Sequence, residues 1–259
     1  MAAMTRFSPE TPWHERPRAA FDLETTGKYP LEARIVTASL VLMSPDDEVI
    51  EAAEWLADPG IEIPEEAAAI HGVTTERARA EGQPVKEVVA DVWKTMERFI
   101  YDHGSCAVAF NASYDFTVMH QESVRHHVEP VRIPAVLDPY VLNKQMHRYR
   151  RGGRTLTDLC AEYGIDLTAA HTSAADSVAA AMLLNKFLAK WPDQLAGVPA
   201  GELHRKQVGW AYRQAESLEE YFRSEKATEP DPNAIVDRGW PVTTKVDPMP
   251  SFESAPVAK

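Results

Sequence analysis

Acidic residues occur in the first part of the chain at a spacing that could support metal-dependent chemistry. Asp22 and Glu24 lie two positions apart at the end of an apolar stretch. Alternate residues of a β-strand point to the same face, so the two carboxylates would stand side by side. Like charges removed from water are costly, and a bound divalent cation would relieve that cost. The alternative is a strand end whose acidic side chains only face water.

Two more acids and a histidine follow later in the chain. Asp115 comes shortly after an apolar stretch that ends at Phe110, and Asp176 follows His171 at the start of an Ala-rich helix. A carboxylate near a helix N-terminus is favoured by the helix dipole whether or not it binds a ligand. Histidine titrates near neutral pH, so His171 is a candidate proton acceptor. Each residue alone has an ordinary structural explanation, whereas the ordered set is much more specific.

That set has the order Asp-x-Glu, Asn-x-x-x-Asp and His-x-x-x-x-Asp, the three motifs of the DEDDh 3′→5′ exonucleases. The chain resembles this family, to which the proofreading epsilon subunit of bacterial DNA polymerase III belongs, over roughly residues 17–191. Segments 70–74 (IHGVT), 137–139 (LDP) and 155–159 (TLTDL) agree with the resemblance. The chain departs from the usual family pattern at four positions: Tyr114, Ser173, Ala174 and Ser177.

The resemblance implies a site for two divalent cations and a strand end. The cations would be held by four carboxylates, those of Asp22, Glu24, Asp115 and Asp176. His171 would act as the general base. Hard carboxylate oxygens suit Mg²⁺ or Mn²⁺. Six residues would contact the terminal nucleotide: Leu23, Thr25, Ile70, His71, Asn111 and Tyr114.

Hydrophobic periodicity predicts the elements that position these residues. The predicted strands cover 18–23, 34–43, 49–56, 105–110 and 133–137. The predicted helices cover 84–100, 113–126, 155–163, 173–191 and 202–226. Three adjacent strands followed by alternating helices and strands predict an α/β fold. The resemblance implies a ribonuclease H-like fold with a mixed five-stranded sheet flanked by helices and a C-terminal helical extension.

We expect four parts along the chain. They are a flexible arm (1–16), an exonuclease domain (17–194), a C-terminal helical extension (195–227) and a mobile Pro-rich tail (228–259). A basic segment, 144–154 (KQMHRYRRGGR), stands out within the domain. It could hold a phosphate backbone, or it could be a solvated loop.

The composition limits the functional classes. Hydrophobic residues make up 44% of the chain and charged residues 25%, which suits a globular protein. The net charge of −12 argues against a protein that coats nucleic acid by bulk charge, but it allows an enzyme that holds a strand end. Because no stretch resembles a signal peptide or a membrane span, we expect a cytoplasmic protein without membrane contact. Cys106 and Cys160 lie in apolar segments and are expected to be buried thiols.

Three functions are consistent with these features. The first is a proofreading or repair exonuclease that acts on single-stranded DNA ends, and the second is an RNA-trimming exonuclease of the RNase T or oligoribonuclease kind. The third is a non-catalytic adaptor, which loss of the carboxylates would favour, and none is lost. The expected partners are the 3′ end of single-stranded DNA or RNA and, through the last helix or the tail, a DNA polymerase or clamp.

Overall fold

The computed structural model describes residues 7–167 and 172–243. The strands of the described residues are β1 (Arg18–Thr25), β2 (Ile35–Met43), β3 (Val49–Asp58), β4 (Gln83–Pro84), β5 (Cys106–Val108) and β6 (Val136–Leu137). They form one sheet in the order β4-β3-β2-β1-β5-β6. The first three strands form the predicted antiparallel meander, and β5 and β6 run parallel to β1. The predicted mixed α/β architecture is therefore confirmed.

The sheet has one strand more than the five that were expected. Gln83 and Pro84 pair in parallel with Ala57 and Asp58 of β3 and so extend the sheet by two residues. Proline lacks a backbone N–H and is tolerated at the edge of a sheet, which is where Pro84 lies. A two-residue strand shows no alternation, so sequence patterns could not have indicated it.

Helices cover both faces of the sheet. In the described residues they are α1 (Glu65–His71), α2 (Thr75–Glu81), α3 (Val85–Tyr101), α4 (Ala112–His126), α5 (Pro139–Met146), α6 (Leu156–Tyr163), α7 (Ser173–Lys190), α8 (Pro192–Leu195) and α9 (Ala200–Arg223). Four of them, α1, α2, α5 and α8, were not predicted from the sequence. None of these has more than eight residues, so hydrophobic periodicity has little length in which to appear.

Alternate residues of β1 face different layers of helices. Ala19, Phe21 and Leu23 are buried in the core that β1 shares with α3 and α4. Ala20 points the other way and packs with Ala181 of α7. Residues 22 and 24 have the same parity as Ala20, and they therefore point toward the side on which α7 lies.

Two buried tryptophans lie outside the predicted exonuclease domain. Trp13 is fully buried, and its indole N–H donates to the carbonyl of Leu195 at 2.9 Å. Trp240 is also buried, although it lies in the predicted tail. The four-part division of the chain stays a prediction. Both cysteines are buried free thiols, and no helix among the described residues has the length and apolarity to cross a membrane.

Candidate active site

The carboxyl end of β1 positions Asp22 and Glu24 on the face covered by α7. In the antiparallel register, Asp22 lies opposite Ser39 of β2 and Glu24 lies opposite Thr37. The register shifts between Glu24 and Thr25, at the end of the strand. Such irregularities re-aim side chains and end strand pairing, and here β1 ends at Thr25, one residue after the second acid.

The first turn of α7 brings Asp176 to the same place. Ser177 and Ser39 share a buried hydrogen bond between their hydroxyl oxygens at 2.6 Å, and Thr37 donates to Ser173 at 3.4 Å. Both α7 serines are departures from the usual family pattern, and the structure shows that β2 supplies a hydroxyl partner for each. Their hydrogen bonds fix the start of α7 against β2, directly beside Asp176.

Three acids form a compact group as a result. Carboxylate oxygens of Asp22, Glu24 and Asp176 all lie within 4.8 Å of one another. The fourth acid, Asp115, is 3% exposed, and its Oδ1 accepts a hydrogen bond from the backbone N–H of Leu23 at 3.1 Å. The residue between the two β1 acids therefore connects Asp115 to the group.

The N-terminus of α4, which carries Asp115, depends on a buried carboxylate that the sequence analysis did not single out. Asn111 precedes the helix in a left-handed conformation with a φ of 59°, which asparagine tolerates better than most residues. The Asp138 carboxylate accepts hydrogen bonds from the backbone N–H groups of Asn111 at 2.9 Å and Ala112 at 3.0 Å. The sequence signals were the position of Asp138 after a short predicted strand and the agreement of segment 137–139 with the family, and neither indicated this role.

Burial and mutual repulsion raise the pKa values of the clustered acids. Removal from water is the main reason why the pKa of Asp22 lies well above its usual range, and Asp115, Glu24 and Asp176 raise it further. Burial and Asp176 together raise the pKa of Glu24 to about 7. Burial also raises the pKa of Asp115 well above its usual range, although the N–H of Leu23 opposes the shift. Hard oxygen donors crowded at this cost fit a divalent cation, whose charge would favour the ionised forms.

A groove of about 510 Å³ opens beside the acids. Five of the six predicted nucleotide contacts line it: Leu23, Thr25, Ile70, His71 and Tyr114. Asn111 is not among the lining residues. Sequence analysis missed Lys28 and Tyr29, which also line the groove, and Tyr29 is 63% exposed. Their position directly after the first motif was the available signal.

Hydrogen bonds order one wall of this groove. The Tyr114 hydroxyl contacts the Thr25 hydroxyl and donates to the carbonyl of Gly27. Burial raises the pKa of Tyr114 to about 12, so the phenol keeps its proton at neutral pH. His71 also lines the groove. Its Nδ1 accepts from the N–H of Val73 at 3.2 Å, and burial lowers the pKa of this imidazole although the Thr25 backbone opposes the shift. Ile70 presents an apolar side chain that is 59% exposed.

The predicted general base, His171, lies outside the described residues. Thr172 is the first described residue after it, and the Thr172 hydroxyl accepts from the N–H of Ala175 at 3.4 Å to cap α7. The role of His171 therefore stays a prediction.

Solved structures similar to this fold include several of exonuclease I. One, a structure of exonuclease I that suggests how processivity is achieved, is 19% identical with a TM-score of 0.58, and the alignment covers 70% of this chain and 42% of that chain. E. coli exonuclease I with a dT13 oligonucleotide is 20% identical with a TM-score of 0.55, and the alignment covers 69% of this chain and 42% of that enzyme. The E. coli enzyme with a dA16 oligonucleotide is 18% identical with a TM-score of 0.56, covering 70% and 42%. This chain thus spans less than half the length of exonuclease I.

No curated protein sequence matched the chain. Members of the exonuclease family use divalent metal ions, in keeping with the acidic group described above. A model of that family, of the RNase T type, matches residues 19–184. The match covers more than half of the chain and includes Asp22, Glu24, Asp115 and Asp176, although a specific relationship to the epsilon subunit stays a prediction. The protein belongs to the exonuclease family.

Proposed function

We propose that this chain is a 3′→5′ exonuclease that hydrolyses the terminal phosphodiester bond of single-stranded DNA and releases nucleoside 5′-monophosphates. The observation that carries the proposal is the group of three carboxylates within 4.8 Å of one another beside a groove that could receive one nucleotide. The retained acids argue against the adaptor alternative. Their burial and mutual repulsion destabilise the fold, and a non-catalytic adaptor would not need a site that carries this cost.

The four acids are proposed to hold two divalent cations, Mg²⁺ or Mn²⁺. Asp22, Glu24 and Asp176 would contribute the compact group of oxygens, and Asp115 would contribute from its place beside Leu23. When bound, such a pair of cations stabilises charge on the attacking and leaving oxygens of a phosphodiester. Carboxylate oxygens without sulfur ligands favour these two metals over softer ones.

The protein's own groups would supply binding and proton transfer. His171 is proposed to take the proton from the attacking water, because its ordinary pKa lies close to neutral pH. Thr25 and the backbone at Leu23 would meet the terminal sugar and its 3′-hydroxyl. Ile70 and His71 would lie against the terminal base or sugar, and the neutral state favoured for His71 avoids repulsion between it and a cation nearby.

Single-stranded DNA is favoured because similar folds are solved with such strands. The exonuclease I structures carry dT13 and dA16 oligonucleotides. An RNA-trimming activity is the second candidate, because the matching family model is of the RNase T type. A role in proofreading or repair, with a polymerase or clamp as partner, belongs to the same proposal.

The direct test digests matched 20-nucleotide strands of DNA and RNA, single and paired, with Mg²⁺ or Mn²⁺. A 5′-labelled DNA strand should shorten one nucleotide at a time, and a 3′-labelled strand should release a labelled mononucleotide. EDTA should stop both reactions. The control is Asp176→Asn, purified in the same way, because it detects contaminating nucleases. Activity that persists in EDTA, or long internal fragments as first products, would refute the proposal, and faster digestion of RNA would assign the second candidate.

A further inference from the structure

A second groove, lined by cations, lies where the end of α5 and the following turn meet α9. It encloses about 470 Å³. Four of its lining residues are cations, and none is an acid. The full lining is Lys144, Gln145, Arg148, Tyr149, Arg154, Arg213, Gln214 and Ser217. In a chain with a net charge of −12, these four cations form a local basic surface that suits an anion.

None of the four groove cations forms a close ion pair with a carboxylate among the described residues, although Glu162 attracts Arg154 and Asp138 attracts Lys144 from farther away. Arg154 donates to backbone carbonyls of Asn143 at 3.3 Å, His147 at 2.8 Å and Arg148 at 3.2 Å, and these acceptors are neutral. Nearby Arg150 behaves differently, because it is paired with Glu162. The chain therefore has a carboxylate available close by, yet the groove cations stay outside ion pairs.

Crowding of these cations is costly in the absence of an anion. Lys144 is partly buried over the Tyr140 ring, with its Nζ 4.9 Å from the ring centroid. Burial lowers the pKa of Lys144, and the neighbouring charge of Arg154 lowers it further. A phosphate placed between these two side chains would offset their repulsion.

An aromatic side chain stands at the margin of the groove. Tyr149 is 87% exposed, and the guanidinium of Arg148 lies 5.7 Å from its ring centroid. Cationic grooves flanked by exposed aromatic rings are typical of single-stranded nucleic-acid binding, because the backbone follows the charge while bases stack on the rings.

The position of α5 relates this groove to the carboxylates. The helix begins after Asp138, whose carboxylate holds the start of α4, and β6 ends at the same edge of the sheet as β1. Its eight residues span about 12 Å at 1.5 Å per residue. A strand stacked at roughly 3.4 Å per nucleotide would cover that length with about four nucleotides. Gln214 of α9 donates to the carbonyl of Val141 at 3.1 Å and so fixes the second wall.

We propose that this groove binds the phosphodiester backbone of the single strand upstream of the terminal nucleotide. The inference rests on the proposed function and adds the path of the strand. Arg213, Gln214 and Ser217 belong to α9, which lies beyond the residues 19–184 that match the exonuclease family. The helical extension is thereby assigned a substrate-binding role outside the segment that matches the family model.

The test compares Arg148→Glu/Arg213→Glu with Lys86→Glu/Lys94→Glu. All four side chains are exposed, and both double variants change the net charge by the same amount, but Lys86 and Lys94 lie on α3, away from the groove. Binding of fluorescein-labelled dT20 is measured by anisotropy in EDTA, where turnover is absent. We expect about tenfold weaker binding and a shallower salt dependence for the groove variant, because each lost phosphate contact removes roughly 0.7 from the slope for a single strand.

A second measurement uses substrates of different length. The ratio of kcat/KM for dT20 to kcat/KM for the p-nitrophenyl ester of thymidine 5′-monophosphate should fall about tenfold in the groove variant and stay constant in the α3 variant. In a series from dT2 to dT12, the difference between wild type and groove variant should appear at about four nucleotides.

Several outcomes would overturn the inference. They are equal losses in the two double variants, an unchanged substrate ratio, or competition by polyglutamate of matched charge as effective as that by unlabelled dT20. A wild-type protein that binds dT20 through the groove but hydrolyses neither substrate would refute the proposed function and leave the groove assignment standing.

Discussion

Asp22 lies among three other carboxylates, and each of them raises its pKa. A side chain in that position destabilises the folded protein unless a cation or a proton compensates its charge. Such a cost is tolerated where a site needs it, and acids with strongly shifted pKa values are accordingly concentrated in functional sites. The residue-scale argument for a metal site therefore rests on charge and burial, and substitutions that keep shape but remove charge test it best.

Replacing Asp22 with Asn should abolish turnover and leave the fold intact. The amide keeps the size of the side chain but supplies no charge for a divalent cation, so we expect kcat to fall about 10³-fold or more. Steady-state digestion of dT20 checks the rate, and circular dichroism checks the fold. Asp91→Asn, at an exposed acid on α3, is the matched control. A rate within tenfold of wild type would remove Asp22 from the proposed cation site.

Replacing Tyr114 with Phe should weaken substrate binding more than it slows chemistry. The change removes the hydroxyl that contacts Thr25 and donates to Gly27, so the loop after β1 loses its tie to α4. We expect KM for dT20 to rise about fivefold and stability to fall by about 1 kcal/mol. Tyr101→Phe is the control, because its hydroxyl also donates to a carbonyl, that of Arg132 at 2.7 Å, away from the site. Equal KM values for the two variants would contradict a role for Tyr114 in the groove.

Sequence reasoning reached the residues whose spacing alone implies proximity. The parity of Asp22 and Glu24 along one strand was enough to place them on one face. Asp176 was assigned to the same site only through the resemblance, and the structure brings its carboxylate into the group. It included Asp138 in a family-like segment but gave it no role, because a carboxylate that holds another segment's N–H groups leaves no local pattern of that contact. The contribution of Arg213 of α9 to the cationic groove was not predicted either, because Arg213 is remote in sequence from Lys144.

At the scale of elements, the long strands and helices were predictable and the short connecting helices were not. The meander of β1, β2 and β3 and the helices α3, α4, α7 and α9 carry enough residues for their periodicity to show. The helix α6 has only eight residues, like the unpredicted α5, but segment 155–159 also marked it by its agreement with the family. In contrast, α1 and α2 between the meander and α3 have seven residues each, and α1 contributes Ile70 and His71 to the groove. Seven residues form only about two helical turns, which is too short for a hydrophobic repeat to identify a helix in the sequence.

The start of α4 is the element on which the position of Asp115 depends. The Asp138 carboxylate accepts N–H groups from Asn111 and Ala112, and it also accepts from Tyr140 at 2.8 Å and from the Trp240 indole at 3.2 Å. Four donors meet one buried carboxylate, so an amide there would turn a donor toward other donors. The segment that follows α9 therefore supports the candidate site through one side chain.

Asp138→Asn should destabilise the protein by about 2–4 kcal/mol, because the new NH₂ group faces N–H groups that lose their acceptor. Trp240→Phe removes a single donor and should cost about 1 kcal/mol, or roughly 2–4 °C in Tm. Both variants should lower kcat for dT20, since α4 carries Asp115. Thermal unfolding and steady-state rates are measured together. A stable Asp138→Asn protein with wild-type kcat would show that this carboxylate does not position the site.

At the scale of the whole molecule, the clustered carboxylates should make the stability of the folded protein fall as the pH rises above neutral. The net negative charge of the chain acts in the same direction. Raised folded-state pKa values mean that the folded chain binds more protons than the unfolded chain near neutral pH. Stability contributed by those protons is present below the unfolded pKa and is lost as pH rises through the folded pKa. Buried His204, whose pKa burial lowers to about 4, has the opposite effect, but that effect is complete once the pH exceeds the ordinary histidine range. Because an unfolded histidine is still about half protonated near pH 6.5, the two effects overlap up to roughly pH 7.5, and a variant that lacks one acid but keeps His204 is needed to identify the contribution of the acids.

In EDTA, Tm should fall as the pH rises from 6.5 to 8.5, because Glu24 loses its proton at about pH 7 and Asp22 and Asp115 also have raised pKa values. Added Mn²⁺ or Mg²⁺ should reduce that fall, since a cation bound only by the folded state at about 100 times its Kd stabilises it by about 2.7 kcal/mol, or roughly 5–11 °C. Differential scanning calorimetry at three pH values, with and without metal, makes the measurement.

Glu24→Gln is the comparison that identifies the source of the effect, because it removes one titrating group and one proposed ligand. The Tm of this variant should depend less on pH and respond less to metal. A Tm that rises with pH in EDTA, or an equal metal response in both proteins, would mean that the carboxylates at the end of β1 do not form the cation site.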